Sequence, residues 1–307
     1  MNILNPPHIT VVITTKNRGD ILCNALESIF ANEYKKFKVV VADQSTDEVT
    51  KKAISKYLKN PQFTYIKSDS VGSSAGRNMA IENSESELVA ITDDDCEVSV
   101  AWLENMVKAF DEDDNIGIVY GKVEPGKSDE GPGFIPSYLE ENSFILKSIY
   151  DTHSLEGLSA CMGIKKSVWE KLNGFDHMLG AGAYFNSCEE TDLSIRALLG
   201  GLYVYYTPAV SVIHNGLRDR NEGKKLAESY GFGNGALFAK HIKCGHFGML
   251  YVLARQTFVW AFGTTWVMLE SDEKHKLGRM FSFLRGLQKG FSTPVDRIKG
   301  HFIETQK

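Results

Sequence analysis

The chain lacks most of the signals that place a protein quickly. Its five cysteines, Cys23, Cys96, Cys161, Cys188 and Cys244, are scattered through 307 residues. No pair has zinc-site or disulfide-framework spacing, so reduced thiols in a cytosolic setting are expected. No Gly-x-Gly-x-x-Gly follows the first strand pattern, which disfavours a dinucleotide site. No Gly-x-x-x-x-Gly-Lys-Ser/Thr occurs, which excludes a P-loop. Charge of one sign does not dominate. The 34 Lys and Arg against 39 Asp and Glu leave a net charge of −5, and no nucleic-acid partner is expected. There is no internal repeat and no low-complexity tract. The opening stretch Met1-Asn2-Ile3-Leu4-Asn5-Pro6-Pro7 has neither a basic region nor a long apolar core, so no signal peptide is expected.

What is present is a core-forming sequence with 43% hydrophobic residues, enough for one large domain or two. Short β-branched runs predict strands at His8–Thr15, Phe37–Ala42, Phe63–Ile66, Val89–Thr92 and Ile116–Val123. Helical spacing between them predicts helices from Ile21 to Phe30, from about Ser45 to Leu58, from Gly72 through Ile81, and around Trp102–Phe110. Strands alternating with amphipathic helices imply a mostly parallel sheet covered on both faces. The polar turns at Thr14, Asp43 and Asp93 each follow a strand C-terminus. They therefore lie on one sheet edge, where open α/β sheets bind ligands.

The run Val89-Ala90-Ile91-Thr92-Asp93-Asp94-Asp95-Cys96 carries the sharpest chemistry. Three adjacent carboxylates repel one another, so the position costs stability unless a cation joins them. Alternation along an extended strand end would send Asp93 and Asp95 to one side and Asp94 to the other. That spacing suits one divalent cation with phosphate oxygens and water in its shell. The plainer alternative is a solvated acidic turn capping the helix that starts near Ser99.

Beyond Glu124 the pattern breaks into a loop-rich insert to Thr152, the length of a lid or acceptor-binding segment. Regular structure resumes at Leu158–Ile164, with a short helix from Ser167 to Leu172. Glu189, Glu190 and Asp192 open a further helix, where acidic residues also complement the helix dipole. Leu202–Tyr206 and Val210–Ile213 read as two short strands around Pro208, the second ending in His214. Leu226–Ile242 reads as a helix weakened by Gly231, Gly233 and Gly235. The apolar run Phe247–Leu269 is long enough to span a bilayer. Arg255 and Gln256 near its middle favour instead a helix buried in the protein or lying in the membrane interface. In the last helix, Leu277, Met280, Phe281, Leu284, Leu287 and Phe291 form one stripe. Lys274, Lys276, Arg279, Arg285 and Lys289 lie on the other side. Such a basic amphipathic helix fits a membrane surface or a solvated face on the core.

These elements, in this order from about Ile9 to Asn215, resemble the family 2 glycosyltransferases, inverting enzymes of the GT-A fold. The resemblance rests on Val12 to Arg18, Val41 to Asp47, Gly72 to Asn78, the Thr92–Cys96 DxD motif and Asn173-Gly174-Phe175-Asp176. It also rests on Leu179-Gly180-Ala181-Gly182, Glu189-Glu190-Thr191-Asp192-Leu193, Tyr206-Thr207-Pro208 and His214. It implies a GT-A-type nucleotide-diphospho-sugar transferase fold over residues 1–218. The nucleotide-sugar half would run to about 124, the acceptor half from 125, and a C-terminal helical extension from 219 to 307. It implies transfer of a sugar from a nucleoside-diphosphate sugar, UDP first, to a saccharide or lipid-linked acceptor hydroxyl of a cell-surface polysaccharide. It further implies Mg²⁺ or Mn²⁺ held by Asp95, Asp93 and His214, and donor contacts from Thr14, Thr15, Arg18, Asp43, Arg77, Asp93 and Asp94. Glu190 or Asp192 would be the catalytic base. Where the family usually has Asp, Glu190 is one methylene longer, and the assignment favours Glu190. The implied setting is cytoplasmic, peripheral on the inner face of the membrane, with an oligomer allowed. The rival classes are a sugar-1-phosphate nucleotidyltransferase, which should carry a Gly-, Arg- and Lys-rich signature after the first strand, and a non-catalytic nucleotide-sugar-binding or membrane scaffold protein.

Overall fold

The structure is a computed structural model that describes residues 9–127, 133–151, 155, 157–262 and 273–304. The first half runs β1 (Ile9–Thr15), α1 (Gly19–Phe30), β2 (Phe37–Asp43), α2 (Val49–Ala53), β3 (Phe63–Lys67), α3 (Ser73–Glu82), β4 (Leu88–Ile91), β5 (Cys96–Val98), α4 (Trp102–Phe110) and β6 (Ile116–Pro125). The second half runs β7 (Phe144–Leu146), β8 (Met162–Lys165), α5 (Lys166–Lys171), α6 (Glu189–Leu199), β9 (Tyr203–His214), α7 (Arg220–Lys243), α8 (Gly248–Phe262), α9 (Glu273–Ser292), β10 (Val295–Asp296) and β11 (His301–Phe302).

Among the described residues nine strands form one sheet in the order β3-β2-β1-β4-β8-β6-β9-β5, with β7 beside β9. β1 pairs in parallel with β2 and β4, β2 with β3, and β6 with β9. β8 runs antiparallel between β4 and β6, and β5 and β7 run antiparallel to β9. The two faces are built by period-two alternation. Val12, Val40, Ala42, Val89 and Ile91 pack into one buried cluster with residues of α6 and α7. Ile9, Val11, Ile13, Val39 and Val41 pack into the other with α1 and α4.

Three local expectations change. The helix expected from Ser45 to Leu58 is only Val49–Ala53. Beyond it the chain winds on through tighter three-residue bonds, Tyr57 N to Ile54 O and Asn60 N to Tyr57 O. The two short strands around Pro208 are one strand, β9, whose register jumps so that Thr207 pairs with Gly121 and Ser211 with Lys122. Proline has no N–H to give the ladder, so it is tolerated at such a break. The alternation expected of the aspartates also fails. β4 ends at Ile91 and the chain turns, Cys96 N bonding Asp93 O at 3.3 Å, before β5. Asp94 and Asp95 consequently share one partner, Arg18, while Asp93 faces another, Arg77.

The C-terminal helices are docked rather than appended. α7 opens with a capping box, in which Asp219 accepts from Asn221 N and Glu222 N. Its glycines, which weaken it as an isolated helix, admit α9. A side chain at Gly235 would meet the Phe283 carbonyl, and one at Gly286 the Phe232 carbonyl. Phe283 is buried on that contact. Of the expected apolar stripe, Met280, Phe281, Leu284 and Phe291 are exposed, and Leu287 packs partly buried against the core. The side chains of Lys274, Lys276 and Leu277 lie outside the described residues, as does the part of the apolar run beyond Phe262. Among the described residues no helix is long and apolar enough to cross a membrane.

Candidate active site

A cavity of about 480 Å³ opens at the C-terminal edge of β1, β2 and β4. The polar turns gather there because those strands are parallel and in register, Thr15 opposite Asp43 and Val12 opposite Ile91. Thr14, Thr15, Arg18, Arg77, Asp93, Asp94, Asp95, Glu190 and His214 all line it. Asp43 and Asp192 are not among the lining residues.

On the wall formed by the strand ends, Arg18 Nη1 donates to Asp94 Oδ1 at 3.0 Å and to Asp95 Oδ2 at 3.1 Å. Thr15 Oγ1 donates to Asp94 Oδ2 at 2.7 Å. Burial pushes the Asp94 carboxyl up to about 6 even though Arg18 and Thr15 pull against it. Arg77 is buried and bridges two elements, donating to Glu189 Oε1 at 2.7 Å and to Asp93 Oδ1 at 3.0 Å. Burial opposes its charge, but the carboxylates of Asp93 and Glu189 outweigh burial and hold it cationic. Asp43 is fully buried and accepts from Ser45 N at 2.8 Å and Tyr65 Oη at 2.7 Å. Its neighbour Gln44 reaches the cavity wall instead, with its amide bound to the Ser70 and Gly72 carbonyls.

Asp95, Cys96 and His214 bring potential ligand atoms within 4.8 Å of one another, with His214 Nε2 3.2 Å from Asp95 Oδ1. The pairing of β5 with β9 sets Cys96 directly opposite His214. The donor chemistry fits a hard divalent cation. His214 Nδ1 donates to the Pro136 carbonyl at 2.9 Å, which orients the ring and directs Nε2 at Asp95. The Cys96 thiol is pushed well above its ordinary value by burial and then by Asp93 and Asp95, so it stays neutral. What remains is oxygen and imidazole, a set that suits Mg²⁺ or Mn²⁺. In the resting structure, Asp95 is held below the usual carboxylate range: burial would raise it, but His214 and Arg18 outweigh burial.

On the opposite wall, α6 begins after Cys188, a non-glycine residue at φ 72. That turn sets Glu189 and Glu190 at the helix start. Glu189 is taken up by Arg77 and by Ser73 Oγ. Glu190 differs: its Oε2 is buried with no hydrogen-bond partner among the described residues, and the residue borders the cavity. Burial, then the charge of Glu189, pushes its carboxyl well above the ordinary value. Tyr120 Oη donates to the Glu190 carbonyl at 3.1 Å and so fixes this turn from below. Asp192 points away. It is fully buried against Arg196 at 2.7 Å, Lys240 at 2.5 Å and His241 Nε2 at 3.0 Å. The charges of Arg196 and Lys240, with the hydrogen bond from His241, override burial and hold it well below the carboxylate range.

Sequence reasoning missed Gln44, Ser73, Arg218, Leu226 and Tyr230, all on the cavity wall. For Leu226 and Tyr230 the available signal was their four-residue spacing on one helix. Both lie beyond Asn215, where the family resemblance ends, so no motif marks them.

A family profile described as Glycosyl transferase family 2 matches residues 10–172. This chain belongs to the family 2 glycosyltransferases. Among curated relatives, the chain is 30% identical over 108 residues to the putative colanic acid biosynthesis glycosyl transferase WcaA of Escherichia coli K12, covering 34% of this chain and 37% of WcaA. It is 23% identical over 190 residues to glycosyltransferase GlyA of Streptococcus pneumoniae, covering 58% of this chain and 27% of GlyA. The chain thus spans only about a third of the length of the curated relatives it matches. In structure it is similar to the mannosyltransferase PcManGT of Pyrobaculum calidifontis, solved with GDP-Man and Mn²⁺. The TM-score is 0.62 at 17% identity, over 91% of this chain and 87% of that one. It is also similar to S. aureus TarS 1-349, with a TM-score of 0.59 at 16% identity, over 91% and 81%. The fold is of the GT-A type.

Proposed function

We propose that this enzyme transfers a sugar, with inversion, from a nucleoside-diphosphate sugar to an acceptor hydroxyl. The observation that carries this reading is Glu190: a carboxylate with an unpartnered buried oxygen, across one cavity from the cluster of Arg18, Asp93, Asp94, Asp95 and His214. A nucleotide sugar fits a cavity of about 480 Å³.

Thr14, Thr15 and Arg18 lie under the diphosphate end, with Arg18 free to leave Asp94 and Asp95 for phosphate oxygens. Arg77 holds Asp93 and Glu189 in place so that the donor and acceptor walls keep their spacing. Asp43 shapes the turn that presents Gln44 to the base. Asp95 and His214 would hold Mg²⁺ or Mn²⁺, which would supply positive charge to the diphosphate leaving group, and Asp93 would join them on leaving Arg77. On the other wall Glu190 accepts the acceptor hydroxyl proton while that oxygen attacks the anomeric carbon. The bond from this carbon to the diphosphate oxygen breaks on the opposite face, so configuration inverts. Asp192, already bound to Arg196, Lys240 and His241, positions α6 and takes no proton.

For the donor, UDP is the first choice; TarS 1-349 has been solved with UDP-GlcNAc and PcManGT with GDP-Man. For the acceptor, a lipid-linked or growing cell-surface glycan is the first choice; WcaA is named for colanic acid biosynthesis. The exposed Met280, Phe281, Leu284 and Phe291 of α9, flanked by exposed Arg285 and Lys289, favour a cytoplasmic enzyme resting on an anionic membrane surface.

The test is nucleotide release from a panel of UDP- and GDP-sugars with Mn²⁺, Mg²⁺ or excess EDTA, in the wild type and Asp95→Ala. Release that depends on the cation and is lost in the variant is expected. Full release in excess chelator would remove the cation from the scheme. Synthesis of a nucleotide sugar from a nucleoside triphosphate and a sugar phosphate would replace transfer by nucleotidyl transfer.

A further inference from the structure

We infer that α7 is the acceptor-side wall of the cavity and that Tyr230 is the side chain on it that contacts the acceptor saccharide. The inference rests on the transfer reading above and extends it to a part of the chain beyond the matched family profile, which ends at residue 172.

The first observation is placement. Leu226 and Tyr230 stand one helical turn apart, on one face of α7, and both line the cavity that holds Glu190. Tyr230 is half-buried there. Burial raises its phenol first, and the next largest influences are the carboxylates of Glu190 and Glu189. Asp93 contributes less than either, so Tyr230 sits nearer the start of α6 than the β4 end.

The second observation is rigidity, which a contact residue needs if it is to position a substrate. α7 is fastened to the segment entering α6 just beside Tyr230. Ser187 Oγ donates to the Ser229 carbonyl at 3.1 Å. A side chain at Gly233 would collide with Ser187 and the Phe185 carbonyl, so only glycine permits this approach. Ten residues further along α7, Lys240 is fully buried and its ammonium joins Asp176 at 2.9 Å and Asp192 at 2.5 Å. Tyr230 is thus held over the cavity from both sides.

The third observation is chemical. Tyrosine offers an apolar ring with a hydroxyl at its end. A sugar offers C–H faces edged by hydroxyls. Leu226 and the Tyr230 ring would take the face, leaving the hydroxyl rim to Glu190 and to the Tyr230 phenol.

The experiment compares the wild type, Tyr230→Phe and Tyr230→Ala. The donor is one the wild type hydrolyses, and the acceptor probes are p-nitrophenyl glycosides of glucose, galactose, mannose and N-acetylglucosamine. In Tyr230→Ala, KM for the best glycoside should rise about tenfold or more, and the ratio of transfer to hydrolysis should fall alongside. Tyr230→Phe should keep most of the wild-type ratio, because the ring is retained. If Tyr230→Ala unfolds early by thermal melting, Tyr230→Leu replaces it with the same expectation. A glycoside KM within twofold of wild type in the alanine or leucine variant overturns the inference. So does a donor KM that rises as far as the acceptor KM. A wild type that hydrolyses donor yet neither glycosylates nor binds any glycoside, by saturation-transfer NMR, overturns it as well. A wild type that releases nucleotide from no donor refutes the transfer reading instead.

Discussion

Replacing Lys240 by Met should destabilise the protein severely, and the structure supplies the reason. The Lys240 ammonium is fully buried between two fully buried carboxylates, Asp176 and Asp192. Removing one partner of a buried ion pair leaves the other charge without compensation, at about 3–5 kcal/mol. The residual partners set where in that range the loss falls. Asp192 keeps Arg196 and His241. Among the described residues, Asp176 keeps as side-chain hydrogen-bond partners the backbone N–H groups of Met178 at 3.0 Å and Phe302 at 2.8 Å. Asp176 is therefore the carboxylate left most exposed to the loss. For a chain of this size each kcal/mol moves Tm by roughly 2 °C, so a fall of about 6–10 °C is expected. Differential scanning calorimetry at pH 7 measures it. The double variant Asp176→Asn, Lys240→Met removes one stranded charge. It should recover about half of the loss, since asparagine keeps one accepting oxygen for the two backbone N–H groups and its amide nitrogen accepts neither. A fall below 2 °C in Lys240→Met, or a double variant worse than the single one, refutes the reasoning.

Three other outcomes are expected. Glu190→Gln should lower kcat by about 10²–10⁴-fold, roughly 3–5 kcal/mol of barrier, with donor KM within threefold; a mild Glu190→Gln beside a Tm-neutral but inactive Asp192→Asn would reverse the two assignments. Stability should fall with acidification between about pH 6.5 and about pH 4, because burial depresses His241 to about 4 from 6.5. In that window the unfolded chain takes a proton that the folded chain refuses, at up to about 1.4 kcal/mol per pH unit; denaturant titrations of wild type and His241→Asn should converge toward pH 4, and parallel curves would exclude this residue as the cause. The protein should co-sediment with anionic liposomes and be released by high salt and by joint replacement of Phe281, Leu284 and Phe291 by Ser, all three exposed; indifference of the wild type to liposomes would make α9 a buttress only.

The strands and helices of the α/β half were legible in the sequence because each is a local pattern. Val39-Val40-Val41 alternates between two buried clusters, and the Trp102–Phe110 helix repeats its apolar residues at helical spacing. The three adjacent aspartates were visible as a cluster after a strand, but a solvated acidic turn accounts for them equally well in sequence. The turn at Asp93–Asp95 was less so: alternation assumes the strand continues, and it stops at Ile91.

Tertiary structure decided which carboxylate is available for chemistry. In sequence Glu190 and Asp192 are two acids in one helical turn, and nothing local separates them. In space Asp192 meets Arg196, Lys240 and His241, while Glu190 meets a cavity. Lys240 and His241 come from a helix nearly fifty residues downstream, and no periodicity in either segment announces the pairing. Glycine at 231, 233 and 235 shows the same limit. As a local signal it weakens a helix, and only the close approach of Phe283, Ser187 and Arg279 shows why these positions lack side chains. Local propensity and periodicity determined the elements; long-range burial, which depends on which charges and surfaces meet, determined the site.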